Sequence, residues 1–247
     1  MLYEAKSLKG YHLCGLDGEI GRVKEFYFDD HEWTIRYLVA DTGTWLPGRQ
    51  VLIAPAALTA VDKDDRCIRV GLTRQQIKDS PPLDSDKPVS RQFEDEYLTY
   101  FGWPIYYGDS YHWEDSPVFF VPHEDEGDLA KDKQGRDPQL RTTKDTTGFE
   151  INTTSGEFGC IEDFVIDDEA WKIRYLVVNT LDKWFGKRIL VALDWIAKIN
   201  WGKAKVFVNL SCETFKQTAE YTGEPMLSRE YENLVYKNCQ LPGYWQK

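Results

Sequence analysis

The sequence lacks the short signals that most readily assign a chemistry. It has no GxSxG elbow, no P-loop, no GxGxxG turn and no HExxH pair, so no motif for a nucleophile, a phosphate or a zinc ion is present. No window approaches eighteen apolar residues, so no transmembrane helix is expected. The first ten residues, MLYEAKSLKG, do not place a basic segment before an apolar one, so no signal peptide is expected either. A basic surplus is also missing: 30 Lys and Arg face 41 Asp and Glu, a net charge of −11. That balance repels phosphate backbones and anionic membrane surfaces, so the chain is read as cytoplasmic, with no nucleic-acid partner and no direct membrane insertion. Peripheral association through a partner is the remaining route to a membrane. The five cysteines, Cys14, Cys67, Cys160, Cys212 and Cys239, are odd in number and show no CxxC spacing. They read as scattered reduced thiols, with neither a disulfide framework nor a zinc site.

The sequence is rich in aromatics, with nine Trp and fourteen Tyr in 247 residues, and it contains an internal repeat. WTIRYLVADT, from Trp33, recurs as WKIRYLVVNT from Trp171, with seven of ten residues identical. The 138-residue offset continues without a gap on both sides. It pairs Gly10 with Gly148, Gly18-Glu19 with Gly156-Glu157, Gly21 with Gly159, and Asp29-Asp30 with Asp167-Asp168. It also pairs Gly48 with Gly186, Ser90-Arg91 with Ser228-Arg229, and Tyr106 with Tyr244. A fixed period of this kind marks a tandem duplication. The domain reading is a first repeat with helical tail over 1–107, an acidic linker over 108–139 and a second repeat with tail over 140–247.

Within a unit the pattern is mainly β. LDGEIGRVKEFYFDD opens with an Asp17-Gly18 turn signal and continues with period-two hydrophobicity. The polar DDHE that follows predicts an antiparallel hairpin with WTIRYLVADT, whose Trp33, Ile35, Tyr37 and Val39 would share one face. QVLIAP gives a third strand, and ALTAVDKDDRCIRVGL gives two more around a charged turn. Thr73 and Gln76 resemble a capping box, and Ser90 and Ser228 are placed to N-cap tail helices. Short strands at this density predict a small barrel or sandwich followed by helices.

DGEIGRVKEFYFDD with RYLVADTGTWLPGRQVLI closely resembles the PRC-barrel family, named for the cytoplasmic domain of the photosynthetic reaction-centre H subunit and found also in RimM-type ribosome-maturation factors. The second copy, SGEFGCIEDFVIDDEAWKIRYLVVNTLDKWFGKRILVALDWI, is similar to it as well. The resemblance covers both repeats. It implies a small β-barrel used for protein contacts and does not imply an enzyme; no cofactor is expected.

Several residues invite a chemical role. Paired acids at Asp29-Asp30 and Asp167-Asp168, with Glu19 and Glu157, fit a general acid and base in principle. The bland reading is a strand end whose aspartates bond their own turn. Arg36 and Arg174 sit mid-strand, where a charge needs a partner; that partner is either a hairpin acid or a group on the twin repeat or a bound protein. The linker gathers His112, Glu114, Asp115, His123, Glu124 and Asp125, with no established metal spacing. Its VFFV segment reads as a strand clipped onto a barrel.

Together these features predict two tandem PRC-type β-barrels, each followed by short C-terminal helices that pack across the pair, related by a pseudo-two-fold axis like a fused homodimer. The expected function is that of a non-catalytic adaptor or scaffold with a protein partner, acting as a monomer (pseudo-dimer) or as a homodimer. Its candidate contact surface is Trp45, Leu46, Pro47, Gly48 and Arg49, with Trp184, Phe185, Gly186, Lys187 and Arg188. A loop pinned by a buried Trp is the competing account of that stretch. Gly18, Gly21, Asp29, Asp30, Trp33, Arg36, Gly156, Gly159, Asp167, Asp168, Trp171 and Arg174 are read as structural residues retained in both copies. The alternative function is binding of a small ligand or metal in the inter-barrel cleft and the acidic linker.

Overall fold

A computed structural model describes residues 1–47, 49–81, 91–103, 140–180, 186–223 and 227–246, without the side chains of residues 91–93 and 95. In the first half, β1 (Leu2–Glu4) and the one-turn α1 (Ala5–Leu8) precede β2 (His12–Gly15) and the long β3 (Gly18–Asp29). Then come β4 (Ile35–Asp41), β5 (Gln50–Ile53), β6 (Leu58–Asp62) and β7 (Cys67–Val70), followed by α2 (Arg74–Asp79) and α3 (Arg91–Phe101). The second half repeats the order: β8 (Leu140–Thr142), α4 (Thr143–Thr146), β9 (Glu150–Thr153), β10 (Gly156–Asp167), β11 (Lys172–Thr180), β12 (Arg188–Ala192), β13 (Ile196–Asn200), β14 (Lys205–Val208), α5 (Cys212–Lys216) and α6 (Arg229–Asn238).

The described residues form two sheets of seven strands. One runs β5-β4-β3-β2-β7-β6 and the other β12-β11-β10-β9-β14-β13, with a single parallel pair in each, β2 with β7 and β9 with β14. The hairpins form where the polar turns predict them, antiparallel from Phe28↔Ile35 to Arg22↔Asp41. Closed barrels do not form: among the described residues no ladder joins β5 to β6 or β12 to β13. A single 3-10 turn, Pro55–Ala57 or Leu193–Trp195, carries the chain off each edge before the ladder can close. In the first half Pro55 also removes a backbone donor at that corner.

The seventh strand of each sheet comes from the other half. β1 pairs antiparallel with β10 through Leu2↔Asp167, Tyr3↔Ile166 and Glu4↔Val165. β8 pairs with β3 through Leu140↔Asp29, Arg141↔Phe28 and Thr142↔Tyr27, the same register displaced by the repeat offset. The halves are therefore cross-strapped, each completing the other's sheet. The short helices that follow these strands are held in the same way. α1 has no side-chain cap of its own; instead the backbone N–H of Lys6 donates to both carboxylate oxygens of Asp163, at 3.2 Å each. In the reciprocal contact the Thr143 hydroxyl donates to Glu25. Asp163 and Glu25 occupy equivalent register shifts in β10 and β3, between Ile161 and Asp163 and between Val23 and Glu25. A bulge re-aims the side chain that follows it, here toward the incoming helix.

Trp33 and Trp171 are not strand residues. Each sits in the hairpin turn with a left-handed backbone, φ 58° and 47°, where a bulky residue is held only by its surroundings. Both are buried, and Trp33 stacks on Phe28 with ring centroids 5.2 Å apart. Their carbonyls are used across the seam: Ile35 N–H donates to Trp171 O at 2.7 Å and Ile173 N–H to Trp33 O at 2.8 Å. Trp33 lies outside β4, which begins at Ile35, and its φ of 58° departs from the extended backbone on which strand alternation rests, so it is not the strand residue that the sequence predicts.

Among the described residues the tail helices make their hydrogen bonds and ring contacts within their own half: Tyr100 of α3 bonds Gln76 O, and α6 packs on β11. Tyr175 of β11 bonds Glu232 of α6, and Tyr236 of the same helix meets Trp195 edge-on. Thr73 and Gln76 form the predicted capping box, and Ser228 accepts from Tyr231 N–H at the start of α6; Ser90 lies outside the described residues. Gly21 and Gly159 stay glycine because a Cβ there would stand 2.1 Å from Asp41 O and 2.2 Å from Asn179 O, while Gly18 and Gly156 open β3 and β10. The cysteine expectation is overturned in one place. Cys14 and Cys67 are joined by a disulfide, brought side by side by the parallel β2 and β7 although 53 residues separate them in sequence.

Candidate functional site

Three places gather interacting charged and aromatic side chains, and the first is the loop after β4. Trp45 Nε1 donates to Ile20 O at 2.6 Å, and the Arg74 guanidinium lies 4.5 Å from its ring centre. Thr42 Oγ1 donates to the carbonyls of Leu46 and Arg49, closing the loop on itself. Arg49 reaches Lys78 O at 2.7 Å and the Ser80 carbonyl, satisfying the C-terminal end of α2. The second copy repeats this arrangement, with Lys187 Nζ on Thr218 O at 2.8 Å and Thr180 Oγ1 on Lys187 O at 2.9 Å. The loop cations thus bind the molecule's own helix ends, and Trp45 is pinned to β3. Leu46 packs against the core and Pro47 is exposed. Gly48, Trp184 and Phe185 lie outside the described residues, and Gly186 is exposed with φ 55°. Arg188 serves the seam, with Nη2 2.9 Å from Glu4 and Nε 3.2 Å from Glu162.

The retained acids also have structural partners. Asp29 accepts from the backbone N–H groups of His31 and Glu32 at 2.8 and 3.0 Å and from Arg36 Nη2 at 2.6 Å. Burial alone would raise its carboxyl, but Arg36 and the two amides outweigh burial and hold it below the usual carboxylate value. Asp167 accepts from Glu169 N–H and from Arg174 at 2.7 Å, and Asp30 takes Arg141 Nε at 3.0 Å across the seam. Asp168 meets the amino group and carbonyl of Met1. Glu19 lies 2.7 Å from His12 Nδ1, and Glu157 is exposed. The linker residues His112, Glu114, Asp115, His123, Glu124 and Asp125 and the VFFV segment lie outside the described residues. Among the described residues no group of three or more His, Cys, Asp or Glu is close enough to hold a metal ion, and no helix is long and apolar enough to cross a membrane.

The second place is a buried cluster that the sequence reading missed. Glu232 is 2% exposed and accepts from Tyr175 at 2.7 Å and Tyr244 at 3.0 Å, while Arg229 Nη1 stands 3.0 Å from its other oxygen. Arg174 and Arg229 lie 4.4 Å and 5.5 Å from the Tyr244 ring centre, and Arg229 lies 4.3 Å from that of Trp245. Burial, then the Glu232 charge, drives the Tyr175 hydroxyl far above its ordinary value, so it remains a proton donor at any physiological pH. At the 138-residue offset Tyr37, Arg91, Glu94 and Tyr106 carry the same four residue types, and Tyr37 and Glu94 are fully buried. Identity at that offset is the signal by which the sequence alone exposes the cluster. Its arrangement fastens the tail helix to the sheet.

The third place is a cleft of about 440 Å³ at the seam. The β3–β4 turn forms one wall with Glu32 and Trp33; β13 and the Trp201 turn form the other, with Lys198 and Trp201. Lys172 lies 3.8 Å from Glu32, and the Arg141 guanidinium stacks 4.5 Å from the Trp201 ring centre. Among the described residues β13 is the terminal strand of its sheet and carries a ladder on one edge only, and its residues Ile196 to Ile199 line the cleft. No family model matches the chain, and no curated protein matches it.

Proposed function

We propose that the protein is a non-catalytic adaptor built from two fused PRC-type modules, each opened into a curved sheet and related to the other by a pseudo-two-fold axis. Its partner is a protein that lays an extended segment along β13. The observation that supports this reading is that β13, which among the described residues has a ladder on one edge only, also lines the seam cleft. Strand addition draws affinity from backbone hydrogen bonds and specificity from alternate side-chain positions. Here Ala197 and Lys198 are exposed on the edge, with Trp201 and Trp33 as aromatic walls. The cross-strapped halves give the edge a rigid opposing wall, which lowers the ordering cost of binding.

A photo-reactive residue in place of Ala197, with a second placed at the exposed Leu234 of α6 as a control, tests the reading in the cell of origin. A discrete cross-linked protein from position 197 and none from 234 is the expected result. Equal labelling at both positions, or none at 197, sinks it.

The size of the cleft favours a second reading, binding of a small molecule, since such sites are typically about 300–1,000 Å³. Native mass spectrometry of gently purified protein decides that case, because a stoichiometric added mass that is lost in Lys198→Glu places a ligand in the cleft.

A further inference from the structure

The disulfide occupies a position whose twin is built without one. On β2 and β7 the buried Leu13 and Ile68 alternate with His12, Cys14, Cys67 and Arg69, which therefore share the outward face. The ladder sets His12 beside Cys67, and Glu19 opposes Cys14 from β3 with its carboxylate 2.7 Å from His12 Nδ1. In the second half the same positions are Glu150, Asn152, Glu157 and Lys205. There Lys205 Nζ pairs with Glu150 at 2.7 Å, bridging β14 and β9. Both halves thus clasp the same pair of parallel strands, one covalently and the other with an ion pair. The ladder of the second half stands without a covalent link, so the bond in the first is not what makes the strands pair.

We propose that Cys14 and Cys67 are a reversible dithiol–disulfide pair whose oxidation state sets the rigidity of the first half alone. The reductant is a dithiol. One of its thiolates attacks Sγ of Cys14, the more exposed of the two, forming a mixed disulfide while the Cys14–Cys67 bond breaks. The electron pair leaves on Cys67 sulfur, and His12, steadied by Glu19, is placed to deliver its proton. The second thiolate of the reagent then attacks the mixed disulfide, releasing Cys14 as a thiol and the reagent as a disulfide. Two electrons and two protons pass to the protein, and a disulfide oxidant runs the sequence backwards. Cys212 and Cys239 are buried, and burial pushes the Cys239 thiol up to about 11, which keeps it out of the exchange.

The test equilibrates the full chain in dithiothreitol buffers of graded thiol-to-disulfide ratio, then alkylates and maps the peptides by mass. Cys14 and Cys67 are expected to titrate together in one two-electron step with the far-ultraviolet circular dichroism unchanged. Amide exchange at 12–14 and 67–70 should accelerate tenfold or more on reduction, while 150–152 and 205–208 stay constant. Cys14→Ser with Cys67→Ser should show the fast exchange at every ratio. His12→Asn should slow reduction severalfold at an unchanged midpoint. Five alkylated thiols at the most oxidising ratio overturn the proposal, as does independent titration of the two cysteines. A bond reduced only on unfolding makes it a structural crosslink and overturns it equally.

Discussion

Ile35 donates its backbone N–H to the carbonyl of Trp171 at 2.7 Å, and 138 residues on, Ile173 returns the bond to Trp33. The contact is isologous within one chain: each half offers the other the same amide and the same carbonyl. With the exchanged β1 and β8 it makes the seam a set of continuous backbone ladders, and side-chain contacts only supplement it.

Cutting the chain should therefore leave it whole. A protease site placed within residues 108–139 and cleaved after folding should give two fragments that co-elute as one particle in size-exclusion chromatography. The intact chain should unfold in urea as one transition by both tryptophan fluorescence and circular dichroism. Two separated transitions, or fragments that part at micromolar concentration, would contradict the cross-strapped arrangement.

Two carboxylates should act on stability in opposite directions as pH changes. Burial raises the Asp163 carboxyl to about 6 against the pull of the Phe164 and Lys6 amides. Between its unfolded value near ~4 and that figure the folded chain binds the extra proton, so stability falls as pH rises through this window, by about 3 kcal/mol. Asp29 is held low, so its contribution is present above the ordinary carboxylate value and is lost as pH falls through its folded value. Urea midpoints in the wild type should drop between pH 4.5 and pH 7, and Asp163→Asn should abolish that drop. An unchanged slope in the variant would refute the assignment.

Removing the carboxylate from the tail cluster should loosen α6 without disturbing the seam. Glu232→Gln leaves Arg229 without its counter-charge and should cost about 2–4 kcal/mol, while Tyr175→Phe should cost about 1–2 kcal/mol. Because both act on one hydrogen bond, the double variant should cost less than the sum. Strict additivity in denaturation experiments would show that the bond contributes nothing.

Glycine at the strand crossing should be irreplaceable. Gly21→Ala drives a methyl against the Asp41 carbonyl and the Thr42 Cα, backbone atoms that cannot swing aside, and should destabilise by about 3 kcal/mol. Gly159→Ala should match it against Asn179, whereas Gly10→Ala meets no atom within 4 Å and is strained only through its φ of 86°. Thermal midpoints that rank Gly10→Ala as the most damaging of the three would invert the expectation.

The hairpins, the third strand and the capping box were legible because each is local: a polar turn, a period of two, a Thr three residues before a Gln. The seam was not. Leu2–Glu4 and Leu140–Thr142 are three-residue strands with no periodicity to read, and their partners lie more than a hundred residues away. Trp33 misled because its left-handed φ is imposed by the turn and the seam together and leaves no mark on composition. Glu94 and Glu232 lie in the first turn of their helices, where an acid is ordinary and usually faces solvent; only their identity at the repeat offset distinguishes them. Cys14 and Cys67 meet only once β2 lies beside β7, so an odd cysteine count concealed a pair.

The exchanged strands also show that the copies have diverged as matched parts. Lys63 lies 5.9 Å from the Tyr3 ring centre in the first half; in the second, the ring is Trp201 and the cation is Arg141. The same contact survives with donor and acceptor of charge reversed, so each strap fits the turn of its own body. Grafting Arg141 into position 3 would set a guanidinium against the Lys63 ammonium, and grafting Tyr3 into position 141 would leave Trp201 facing a second ring and Asp30 without its cation. The two straps are therefore keyed to their turns by opposite assignments of cation and ring.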